Sequence, residues 1–97
     1  MIYAIILTTS WCKGCMSFHE RLDRLIAKRP KLSSRIVFDD AEDGDVGEKL
    51  ANGYGMTCAP FIIFMDVVGP GEACKDPWTH AGSMSNESFL RGLGELE

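Results

Sequence analysis

No apolar run in the chain is longer than the seven residues 1–7, MIYAIIL. A membrane-spanning helix needs about 20 such residues, so none is expected. A secretory signal would need a basic leader before its apolar stretch and small residues at a cleavage site. Here Trp11 and Cys12 follow the run almost at once. The expectation is a cytoplasmic protein. Also missing are internal repeats, low-complexity tracts and any Gly/Ser-rich linker. One domain spanning 1–97 is therefore expected, which is ordinary for a chain of this length. There is no basic stripe: the formal net charge is −4, and acids crowd into 39–48. A general nucleic-acid binder would need the opposite balance. Disorder is excluded by a composition 45% hydrophobic and 25% charged.

Cysteine is scarce but present, with four residues: Cys12, Cys15, Cys58 and Cys74. Without an export signal, reduced thiols with a catalytic or metal-binding role are expected rather than a structural framework.

The segment 1–7 is β-branched and aromatic with almost no polar alternation, as suits a strand buried on both faces. Over 13–29 apolar residues recur at helical spacing as Cys15, Phe18, Leu22, Leu25 and Ile26. Glu20 and Arg24 can pair on the wet side of that helix, and Pro30 ends it. A short strand is expected at 35–38, a helix at 46–52, and strands at 61–68 and 78–81. The turn Gly69-Pro70-Gly71 follows the third strand. Ser85 reads as the cap of a last helix that buries Phe89, Leu90, Leu93 and Leu96. The order βαβαββα is an α/β fold. A parallel first pair with a right-handed crossover and an antiparallel last pair give a mixed four-stranded sheet with helices on both faces.

The chemistry concentrates at Trp11-Cys12-Lys13-Gly14-Cys15, where the first strand gives way to the first helix. Two thiols with two residues between them can close into a disulfide with little chain movement. Free N–H groups and the helix dipole favour a thiolate at Cys12, and Lys13 adds charge of the same sign. Cys15, one turn further in, should be more buried and less ionised. The pair divides into an attacking and a resolving thiol, and exchange needs no bound cofactor. A lone pair of this spacing is also half of many zinc sites. The competing reading is therefore a zinc or iron–sulfur site completed by Cys58, Cys74 or His80, although no second such pair is present.

The stretch Trp11 to Cys15 resembles the WCxxC active site of thioredoxins. Residues 54–64, YGMTCAPFIIF, are similar to that family's approach to its cis-proline and the strand beyond it. Gly82 and the serine-rich start of the last helix resemble the family's final loop. The resemblance implies that Pro60 is the cis-proline, with Cys58 and Ala59 lining a substrate groove beside Trp11, Lys13 and Gly14. It also implies catalysis by Cys12 and Cys15 on protein disulfide substrates, with recycling by a reductase of the thioredoxin type. A monomer without metal or cofactor is expected. Four departures stand out. The chain starts at the strand entering the active site, which makes it glutaredoxin-sized, so glutathione-dependent reduction is the alternative. It has no glycine pair followed by Asp to hold glutathione. Ile6 stands where the family has a buried acid, and Lys13-Gly14 replaces Gly-Pro.

Other signals are weaker. Cys58 fills a small groove position, with a regulatory disulfide as the alternative. Cys74 reads as structural. His19, four residues after Cys15, reads as a surface histidine, with proton acceptance as the alternative. His80 and Trp78 read as strand and packing residues. The acidic run 39–45 fails as a calcium loop, because Ala41 and Leu50 fall where oxygen ligands are needed.

Overall fold

A computed structural model describes residues 2–10, 12–42, 46–66 and 78–95. Among these residues, four strands and three α-helices follow in the expected order: β1 (Ile2–Thr8), α1 (Lys13–Lys28), β2 (Ile36–Asp40), α2 (Val46–Gly53), β3 (Phe61–Asp66), β4 (Trp78–Ala81) and α3 (Asn86–Gly92). Between α1 and β2 the chain makes a 3-10 helix, Pro30–Ser34, which the sequence reading did not anticipate. Proline opens it, and Leu32 is buried beneath it. The 3-10 turn uses up the residues before β2, and β2 runs on through Asp40, two residues beyond the expected end at Phe38.

The strands lie in the order β2-β1-β3-β4, with β1–β2 parallel and β1–β3 and β3–β4 antiparallel. Side chains of successive strand residues point to opposite faces, and both faces of the central strands are covered. Ala4 and Ile6 of β1, with Ile62 and Phe64 of β3, pack against Phe18, Leu22 and Leu25 of α1 and Phe89, Leu90 and Leu93 of α3. Leu7, Phe61 and Ile63 point the other way, where Leu50 and Ala51 of α2 join them. This two-sided burial explains why 1–7 and 61–64 lack polar alternation.

Two contacts lock the layers. At the start of α2, Gly47 sits so close to the end of β2 that an added Cβ would lie 2.0 Å from the Asp40 carbonyl oxygen. Arg35, placed just before β2, donates from Nε to the Ile2 carbonyl at 2.9 Å and from its guanidinium to Leu93 and Glu95. It thereby ties β1 to the end of α3. Ser85 caps α3 as expected, its hydroxyl accepting from the Ser88 N–H at 3.1 Å. Glu20 and Arg24 pair at 3.9 Å. The turn at 69–71, the last two residues of the expected third strand, Cys74 and Leu96 lie outside the described residues. No described helix is long and apolar enough to cross a membrane.

Candidate active site

The described site residues gather at one end of the sheet. β1 ends at Thr8, and Thr9 and Ser10 carry the chain over the sheet end to Cys12. The Cys12 N–H donates to the Thr9 carbonyl at 3.3 Å, which shapes that bend. Cys12 then takes the N-cap position of α1, with extended backbone, and its sulfur accepts the Cys15 N–H at 3.1 Å. A sulfur is thus held against the N–H groups that a helix start leaves free. Cys15 lies one turn inside, on the apolar stripe of α1, and is 4% exposed. Cys12 is half-buried. The two are joined as a disulfide with Cα atoms 5.4 Å apart, inside the usual range for such a bridge. The expected division into an outer and an inner sulfur is present.

β3 brings the second motif. Because Phe61 pairs with Leu7, the residues before β3 arrive at the sheet end where β1 turns towards Cys12. The Ala59–Pro60 peptide is cis, as the resemblance implied. Pro60 is buried, and its carbonyl accepts the Gly82 N–H at 2.8 Å. Gly82 has φ of 92°, a conformation that suits glycine, so the loop after β4 can fold back over the proline.

Two clefts flank Thr9. One, of about 300 Å³, is lined by Thr8, Thr9, Ser10, the two cysteines, Met16 and His19. The other, of about 220 Å³, lies towards α2 and is lined by Thr9, Glu42, Asn52, Met56, Thr57 and Cys58 among others. Cys58 is an exposed free thiol in this second cleft rather than in the one holding the disulfide. Gly14 is exposed, with open space where a Cβ would project. Lys13 is the first residue of α1, and Trp11 lies outside the described residues.

Several site residues were not singled out from sequence. Glu42 receives both the N–H and the hydroxyl of Ser10, at 3.0 and 3.1 Å, pinning the loop before Cys12. Nothing in a separation of 32 residues marks that pair. Met16 is 72% exposed beside the disulfide, an unusual place for a large apolar side chain. Its position off the stripe of α1 was readable. Thr9 Oγ1 is buried without a hydrogen-bond partner among the described residues. His80 is an exposed strand residue whose ring reaches the Ser83 carbonyl, at 3.2 Å. Among the described residues no group of three or more His, Cys, Asp or Glu is placed to hold a metal ion.

Comparison with solved structures decides the fold. Thioredoxin f2 of Chlamydomonas reinhardtii superposes with a TM-score of 0.67 at 13% identity, covering 99% of this chain and 82% of its own. The fold is that of thioredoxin. A Thermus thermophilus thioredoxin matches at 0.66 and 17% identity, over 97% of this chain and 72% of its own. Oxidised mitochondrial thioredoxin 3 of Saccharomyces cerevisiae matches at 0.66 and 19%, over 98% and 78%. No protein-family model and no curated protein matches the sequence. The thioredoxin fold thus rests on shape and on the placement of two motifs.

Proposed function

We propose that this chain is a thiol–disulfide oxidoreductase that reduces protein disulfides through Cys12 and Cys15. The observation carrying this reading is a disulfide whose outer sulfur caps α1 and whose inner sulfur is buried one turn on. A helix N-terminus favours the anion of the sulfur it holds, so in the reduced protein Cys12 is the nucleophile. Its thiolate attacks a substrate disulfide, joins one substrate sulfur and releases the other as a thiolate. Cys15 then attacks Cys12, frees the second substrate sulfur and leaves the bridged form described above. The segment before Pro60 lies at the same sheet end and supplies the backbone against which an extended substrate segment pairs, as the resemblance implies. The exposed Met16 offers an apolar contact beside the bond under attack.

The chain cycles without a resident cofactor, so an external thiol or dithiol must reduce it again. We assign that role to a reductase of the thioredoxin type, with glutathione as the second reading. Lys13-Gly14 between the cysteines departs from the Gly-Pro of the family it resembles, and the intervening pair tunes the reduction potential against either reductant. The test is insulin precipitation in the presence of dithiothreitol, with Cys12→Ser as the control. Rapid turbidity that the variant lacks is expected, and equal rates would overturn the assignment. Recycling by NADPH with a thioredoxin reductase, run beside glutathione with its own reductase, separates the two reductants.

A further inference from the structure

Resolution of the mixed disulfide, as proposed above, requires Cys15 to lose a proton. Cys15 is 4% exposed, so an isolated thiolate there is disfavoured. Its proton must leave as the new bond forms. The described core contains no buried polar or charged residue, and Ile6 of the neighbouring strand is fully buried. The acceptor therefore has to stand in the cleft. Of the described residues lining that cleft with the two cysteines, His19 alone carries a nitrogen base on its side chain.

His19 is four residues beyond Cys15 on α1 and so shares its face, about 6 Å further along the helix axis. That separation suits transfer through one intervening water. The ring is also held in place. It stacks on Phe38 of β2 with centroids 3.8 Å apart and planes 18° from parallel. Its Nε2 lies 3.6 Å from Asp23 Oδ1, a ready counter-charge for an imidazolium. At the end of β2, Asp40 shares the strand face of Phe38, whereas Asp39 faces α2 with its carboxylate beside Gly47, and Glu42 is held by Ser10 of the cleft. Asp40 and Glu42 are anionic, so they too favour a cation in the cleft.

We propose that His19, backed by Asp23, accepts the Cys15 proton during resolution and returns it to the departing substrate sulfur. Cys15 Sγ passes its proton to the imidazole, and its electron pair forms the bond to Cys12 Sγ. The bond between Cys12 Sγ and the substrate sulfur breaks, and its electron pair leaves on that sulfur, which takes the proton from the imidazolium. Over the cycle the two cysteines are oxidised and the substrate disulfide is reduced to two thiols. This assignment rests on the oxidoreductase reading.

The test mixes reduced protein with the chromogenic disulfide of thionitrobenzoate and follows release of the coloured thiolate in two phases. The first phase is attack by Cys12, and the second is resolution by Cys15. Thionitrobenzoate leaves without needing a proton, so the second phase reports deprotonation alone. In His19→Gln the first phase should stay within about twofold, while the second slows about a hundredfold, at the lower end for general-base catalysis. The pH profile of the second phase should also differ between the protein and His19→Gln, while that of the first phase stays the same. Added imidazole should restore the second phase in His19→Ala, which a merely structural role would not allow. A second phase with unchanged rate and pH profile in His19→Gln overturns the proposal. A first phase no faster than that of an unfolded chain overturns the oxidoreductase reading itself, because that step does not involve His19.

Discussion

Cys12 and Cys15 are chemically identical side chains made unequal by three residues of helix. One caps α1 and meets solvent, and the other sits on the stripe that packs against the sheet. Their variants should therefore fail differently. Cys15→Ser keeps the nucleophile and loses the resolving sulfur, so a mixed disulfide with substrate should accumulate and be seen as a mass increase on the intact chain. Cys12→Ser should trap nothing. Equal trapping by both would mean that the inner sulfur reaches substrate, against its burial. A second residue-scale prediction concerns Gly47, where overlap with the Asp40 carbonyl opposes any side chain. Overpacking costs about 1–3 kcal/mol, and alanine regains at most about 1 kcal/mol of helix propensity. The obstacle is backbone and cannot rotate away, so the clash wins. Gly47→Ala should lose about 2 kcal/mol in urea unfolding.

At the scale of elements, α3 shows how little a short helix owes to its own backbone. It has seven residues, fewer than an isolated helix needs. What holds it is the burial of Phe89 and Leu90 against Phe64 and α1, together with its cap. Ser85→Ala should cost about 1 kcal/mol by thermal or urea unfolding. Phe89→Ala should cost about 3–5 kcal/mol. If the cap variant were the more damaging, packing would not be what stabilises this helix. These elements were legible because their signals are local: a serine before an apolar stripe, a proline after one, an unbroken run for a strand covered on both faces. The βα junction at Cys12 and the cis bond at Pro60 were also readable, the first from spacing and the second through resemblance. The 3-10 helix at Pro30–Ser34 was not, because so short a turn leaves no periodicity to detect. Nor were the Ser10–Glu42 bond and the His19–Phe38 stack, because each joins residues brought together only by the crossover from β1 to β2.

At the scale of the whole molecule the disulfide is a cross-link and, in the proposed exchange, also the catalytic group, and these two roles connect redox behaviour to stability. Closing so small a loop, three residues apart in sequence, constrains the unfolded chain by about 2 kcal/mol at most. Reduction removes that constraint but creates a sulfur anion at the start of α1, worth about 0.3–1 kcal/mol to the folded reduced form. The first effect is the larger. The oxidised protein should therefore unfold at higher urea, by less than about 2 kcal/mol, and the reduced protein should still unfold cooperatively on its two-sided core. Paired urea titrations with and without dithiothreitol measure the difference. Because folding and reduction close a thermodynamic cycle, that difference also sets how strongly the fold favours the bridged state over the dithiol. A more stable oxidised form makes the reduced protein an electron donor, the direction that disulfide reduction requires. A more stable reduced form would make the pair an oxidant and reverse the proposed direction of exchange.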